Sequence, residues 1–176
     1  LTAAGPVVVY RDRSGDEIRD ISIVRMVNNK WTNPKTIFDD GWKIDGCPVN
    51  GPRIAAVSNN LAIAWFSSPD QNAQVKIIFS DDGGATFKNP VRIDEGRGLG
   101  RVDILMLNEI TALVTWMEGA LIKAVKVHND GTKEPSLIIA STSEARSAGF
   151  PQMTASGNKI IFAWTDDKLK TIKTSI

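Results

Sequence analysis

Arg11, Arg13, Arg19, Arg53, Arg101 and Arg146 all fall in charged loops or at the starts of strand-like segments. A guanidinium offers two parallel N–H donors to a carboxylate. Arginines gathered on one surface would therefore suit an anionic or polyhydroxyl ligand. Trp42, in one of the same loops, adds an apolar ring on which a sugar could stack. Hydrolysis of a glycoside would further need a carboxyl group kept protonated by its surroundings to act as general acid. Asp12, Asp16, Glu17, Asp20, Asp45, Asp103 and Glu118 occupy the corresponding loops and strand ends. Asp103, beside Arg101, and Glu118 are the candidates for that role. The competing account is structural. "YRDR" and "EIRD" put Asp next to Arg, as solvated ion pairs do, and Asp103 can pair with an arginine of the central channel.

Other chemistries have less material. With one histidine, His128, and one cysteine, Cys47, there is no set of residues for a multi-histidine metal site and no intrachain disulfide. Cys47, in "DGCPVNG", reads as a buried thiol rather than a nucleophile. No metal and no cofactor is expected. A net charge of +1 gives no bulk reason to bind nucleic acid or an anionic membrane. No apolar run reaches the length of a membrane span, and "LTAAGPVVVY" lacks the basic region of a signal peptide.

The elements that must position these residues repeat. Gly51, Gly100 and Gly149 stand at equal spacing, and each opens a strand, a polar turn and a second strand. The second strands, "LAIAWF", "TALVTW" and "KIIFAW", alternate and carry Trp65, Trp116 and Trp164. A further strand–turn–strand follows in "AQVKIIFSDDGGATFKNPVRID" and "ALIKAVKVHNDGTKEPSLIIA", and near the start in "IRDISIVRMVNNKWTNPKTIFDD". "WTNPKTI" matches "FKNPVRI", aligning Trp31 with Phe87, Pro34 with Pro90 and Ile37 with Ile93. Proline fits an outermost edge strand, where one N–H has no neighbour to serve. Four-stranded units at this period predict an all-β chain, a partial β-propeller of four-stranded antiparallel blades; the alternative is a β-sandwich. One propeller domain would fill 1–176: a partial blade over 1–49, blades over 50–98 and 99–148, and a final blade over 149–176 that lacks its outer strand. Tyr10 takes the place of the three tryptophans in the first unit. Open blade faces would need a cover, either an amino-terminal half of the same propeller or a second copy of the chain.

Residues 80–87, "SDDGGATF", place Ser80, Asp82, Gly84, Thr86 and Phe87 in the pattern S-x-D-x-G-x-T-F. This is the Asp box, and "HNDGTKEP" is a decayed copy with Asn129 and Gly131 where Asp82 and Gly84 stand. Asp and Ser side chains bond nearby backbone N–H groups, and glycine supplies left-handed angles, so the motif reads as a hairpin lock. "SDDGG" lacks the alternating acidic ligands of a calcium loop. With "YRDRSGDEIRDISIVR", "GWKIDGCPVNGP", "GRVD" and "GFP", the Asp box makes nearly the whole chain resemble the sialidase (neuraminidase) superfamily, in particular bacterial exo-sialidase-like proteins. The resemblance implies a propeller that is six-bladed when complete, a glycan ligand and a secreted, periplasmic or cell-envelope location. It also implies three arginines around a substrate carboxylate, which draws attention to Arg19, Arg101 and Arg146. The family's nucleophile is a tyrosine, because a carboxylate would repel an acidic sugar. Tyr10 is the one tyrosine here and reads as a packing residue. The resemblance therefore leaves two functions open: an exo-sialidase-like hydrolase of acidic sugars, or a non-catalytic glycan- or protein-binding propeller, down to a structural half that completes a ring.

In such blades the loops between second and third strands lie with the blade-to-blade crossings, on the face opposite the Asp box. That face, with 11–20, 39–53, 67–74, 94–101 and 141–149, is the expected site. His128 falls on the other face.

Overall fold

A computed structural model describes residues 1–46 and 48–176. Cys47 lies outside the described residues. Among the described residues, fifteen strands form four antiparallel sheets. The first contains β1 (Val7–Arg11), β2 (Ile21–Val27), β3 (Lys30–Trp31) and β4 (Lys35–Phe38), with β3 and β4 both pairing with β2. The second runs β5 (Arg53–Val57), β6 (Asn60–Ser67), β7 (Gln74–Ser80), β8 (Val91–Arg92) in spatial order. The third repeats that meander with β9 (Gly98–Met106), β10 (Thr111–Glu118), β11 (Leu121–His128) and β12 (Leu137–Ser141). The fourth has β13 (Gly149–Ser156), β14 (Lys159–Asp166) and β15 (Thr171–Ser175).

Alternation along the second strands explains how the sheets stack. A strand sends successive side chains to opposite faces. On β6, Leu61, Ile63 and Trp65 pack toward the first sheet with Ile21, Ile23, Ile37 and Ile78, while Ala62 and Ala64 pack toward the third. On β10, Ala112, Val114 and Trp116 return that contact, and Leu113 and Met117 meet Met153, Phe162 and Trp164 of the fourth sheet. Each interface thus sets the tryptophan of one sheet against small or branched residues of the sheet before it. Ile37 and Ile93, aligned in the sequence, are both buried; Trp31, aligned with half-buried Phe87, is 50% exposed. The alternation leaves one face of each end sheet open. Val8 and Tyr10 point away from the core that Val7 and Val9 join, and Ile172 on β15 is 66% exposed.

A second regularity sits at the far end of the same strands. Trp65 pairs across the sheet with Lys76, Trp116 with Lys123 and Trp164 with Lys173. Lys76 and the Trp65 indole both end on Asp40, from the crossing that leads into the second sheet. Lys123 ends on Glu95 of the next crossing, and the Trp116 indole donates to Glu118. Buried ammonium groups require such partners, so the first two crossings are stapled to the sheets they enter, whereas Lys173 pairs with Asp166 of its own sheet.

The turn after β7 is locked by its own side chains. Ser80 Oγ accepts the Gly84 N–H at 2.9 Å and donates to Asp82 Oδ1 at 2.8 Å. Asp82 accepts both the N–H and the hydroxyl of Thr86, at 2.9 and 2.6 Å. Gly83 N–H bonds Asn59 O, tying this turn to the β5–β6 turn beside it. Burial alone would raise the Asp82 carboxyl, but the bonds from Thr86, Ser80 and Ala85 outweigh it and bring the pKa down to about 2. A depressed carboxyl contributes stability above its unfolded value of 3.8 that is lost as pH falls toward 2. Asp82 is exposed, so after solvent screening the contribution is about 1 kcal/mol. Acid unfolding of Asp82→Asn should lack that part of the loss between pH 4 and 2. Parallel stability curves for the variant and the parent across this window would refute the assignment.

Candidate ligand-binding face

The loops opposite that turn are knotted around Asn50. Its Oδ1 accepts the Arg101 N–H at 3.1 Å, and its Nδ2 donates to Leu99 O at 3.1 Å. Its main-chain oxygen accepts Nε and Nη2 of Arg11, at 3.2 and 2.9 Å. Arg11 also donates to Arg19 O and Phe66 O, both at 2.6 Å, and lies over the Trp42 ring at 4.8 Å. Burial lowers the Arg11 pKa to about 10, against the opposing pull of Asp40 and Asp20. Arg11 remains charged at neutral pH, but its donors are spent on backbone carbonyls. It clamps three loops and is not free for a ligand.

Trp42 requires a similar correction. It is 6% exposed, with Phe66 set edge-on at 5.5 Å and Arg11 over its ring. No sugar can stack there, because the ring is part of the loop core.

Between the inner strands β5, β9 and β13 lies a cavity of about 130 Å³, lined by Asn50, Arg53, Arg101, Phe150 and Gln152 among others. Arg101 donates to Ala148 O at 2.7 Å and lies over the Phe150 ring at 4.9 Å; burial lowers its pKa. Arg53 is held loosely, with Gln152 Oε1 at 3.4 Å and Asp103 Oδ1 at 4.0 Å, and its side chain is 49% exposed. The face thus brings Arg53 and Arg101 together. Arg146 stands exposed on the preceding crossing and lines no part of this cavity. Arg13 and Arg19 lie apart, on a cavity of about 350 Å³ with Arg11, Asp12, Gly46 and Pro48.

The two candidate acids are already engaged. Asp103 Oδ2 accepts the Met153 N–H at 2.6 Å while Oδ1 faces Arg53, so it bridges inner strands of three sheets. Glu118 is 8% exposed and accepts the Trp116 indole at 2.7 Å, Glu95 N–H at 3.1 Å and Arg97 N–H at 2.6 Å. Its oxygens latch a crossing from a buried position. Tyr10 is not activated either. Burial and then Asp12 raise its phenol above the ordinary value, the reverse of what a nucleophile needs. Among the described residues no acidic, histidine and cysteine group is placed to hold a metal ion.

Asn50, Phe150 and Gln152 were not singled out in the sequence. A signal for Asn50 was present, since it immediately precedes Gly51, the first of the equally spaced glycines.

No family model and no curated protein sequence matches this chain. Among solved structures it is similar to the Hadza microbial sialidase Hz136, with a TM-score of 0.60 at 14% identity. The alignment covers 98% of this chain and 42% of that one, so the chain spans less than half the length of the sialidase it matches. At this identity the likeness speaks for the fold: this chain is an all-β, sialidase-like partial propeller.

Proposed function

We propose that this chain forms an acidic-sugar-binding part of a sialidase-like propeller, with Arg53 and Arg101 receiving the ligand's carboxylate. The observation that carries this reading is Arg53: a half-exposed guanidinium on an inner-strand cavity, held only at 3.4 and 4.0 Å. A ligand carboxylate can replace those weak contacts with short, charge-assisted ones. Gln152 Oε1, released by Arg53, then offers an acceptor for a sugar hydroxyl, and Phe150 backs Arg101 as its stacked partner. Binding is favoured over hydrolysis because Asp103 holds the Met153 N–H through Oδ2, buried Glu118 latches the 95–97 crossing, and the Tyr10 phenol is raised. The open faces beside Tyr10 and Ile172 favour a further element: more blades of the same propeller cover them.

Native mass spectrometry of the chain with N-acetylneuraminate or glucuronate, and with glucose as neutral control, tests these points together. The acidic sugars should bind and glucose should not, and Arg53→Ala should weaken binding by about tenfold or more. Equal binding of glucose, or an unaffected Arg53→Ala variant, would rule the site out. Release of a fluorogenic leaving group from a sialoside would overturn the non-catalytic reading. A stable monomer showing no exposed apolar surface to a dye would do the same for the missing blades.

A further inference from the structure

We infer that Glu17 stands in for a ligand carboxylate and closes a second anion-binding site between Arg13 and Arg19. This site is separate from the Arg53 cavity and does not depend on it. The Glu17 carboxylate is shared: one oxygen takes Nε and Nη2 of Arg13, and the other takes Nη2 of Arg19 at 2.6 Å. Two guanidinium groups converging on one carboxylate is the arrangement by which proteins hold acidic ligands.

Arg19 is the unusual member. It is 7% exposed, and its Nε and Nη1 have no hydrogen-bond partner among the described residues. Its remaining contact is Nη2 to Gly46 O at 3.3 Å. A buried guanidinium with donors to spare is costly in a purely structural role, and a bidentate carboxylate would satisfy it. The cavity of about 350 Å³ that Arg19 lines with Arg11, Arg13 and Pro48 provides the space. Asp12 also lines it, but its oxygens are taken by the Arg13 N–H at 2.8 Å and the Ser22 hydroxyl at 3.0 Å.

Glu17 itself is held under strain. Its φ is +61°, a left-handed angle that a non-glycine residue adopts at a cost. Its N–H bonds Ser14 O and its carbonyl accepts the Ile44 N–H, so the strain is fixed by backbone bonds on both sides. Such a side chain can swing out to solvent without unfolding the loop, leaving Arg13 and Arg19 to a carboxylate from outside. The ligand class is a small carboxylate.

Glucuronate titrated by NMR into the parent, Glu17→Ala and Glu17→Gln decides the matter. Removing the internal carboxylate should tighten glucuronate binding at least about fivefold, with amide shifts at Ile18 and Arg19, and glucose should not shift them. The gain should vanish in Glu17→Ala/Arg19→Lys and persist in Glu17→Ala/Arg53→Ala, which separates this site from the inner-strand cavity. No gain in folded Glu17→Ala and Glu17→Gln, or a gain that survives Arg19→Lys, would overturn the inference.

Discussion

Trp116→Ala is expected to lose about 3–5 kcal/mol of stability, the cost of truncating a fully buried aromatic side chain. Trp116 is 0% exposed and fills the interface between the second and third sheets with Ala62, Ala64, Ile77 and Val114. Alanine would leave a void that sheets on both sides cannot close without breaking their own registers. The indole also has a polar task, since its Nε1 donates to buried Glu118. Without it, a carboxylate that holds the 95–97 crossing loses one of three N–H partners. Trp116→Phe separates the two contributions. It keeps most of the volume and drops the donor, so it should cost about 1–2 kcal/mol. Trp31→Ala, at a half-exposed edge strand, should cost less than about 1 kcal/mol. Urea unfolding of the three variants reads the order directly. A Trp116→Ala variant no less stable than Trp31→Ala would show that the tryptophans do not hold the sheets together.

That hierarchy among tryptophans marks the limit of what the sequence could disclose. Trp65, Trp116 and Trp164 sit on alternating runs after equally spaced glycines, and local period alone puts them in the core. The pairing of Ile37 with Ile93 is equally local, because both follow an X-Pro step in an outer strand. Trp42 has no such frame. It lies on an aperiodic loop, and its burial depends on Arg11 and Phe66, residues distant in the chain. The arginines show the same division. Their position on one face follows from the repeat, but their availability does not. Arg11 is spent on oxygens of Arg19, Asn50 and Phe66, whereas Arg53 is nearly free. Backbone carbonyls leave no mark in residue type, so the sequence cannot tell a clamped guanidinium from an open one. The lysines do carry a signal in the sequence. Lys76 and Lys123 lie opposite tryptophans on strands that otherwise read as apolar, and a charge in such a run needs a partner from elsewhere.

The three repeat glycines carry the last prediction, because their sequence equivalence is not a structural one. Gly100 has φ +75° and Gly149 has φ +74°, and the residues after them, Arg101 and Phe150, are also left-handed. Gly51 is not left-handed, and it precedes Pro52, whose ring fixes φ near −65° and forbids the paired left-handed step. A Cβ at Gly100 would lie 2.8 Å from Phe66 Cβ and 2.9 Å from Asn50 Cγ. Phe66 Cβ is tied to the backbone, and the Asn50 amide is held by its bonds to Leu99 O and the Arg101 N–H. Left-handed strain of about 1–2 kcal/mol adds to overpacking of about 1–3 kcal/mol. Gly100→Ala should therefore cost about 2–4 kcal/mol in urea unfolding. At Gly149 the nearest atom is the Met117 thioether, which can move, so Gly149→Ala should cost about 1–2 kcal/mol. At Gly51 nothing lies within 4 Å, and alanine should be neutral to within about 0.5 kcal/mol. Gly100→Ala has a functional consequence as well. Relief of the overlap must displace Asn50, whose amide holds both Leu99 O and the Arg101 N–H. Arg101 then leaves its place beside Arg53, and the acidic-sugar binding proposed for this cavity should fall with stability in this variant alone. Equal losses at Gly51 and Gly100 would mean that the repeat glycines are interchangeable and that the Asn50 knot does not set the position of Arg101.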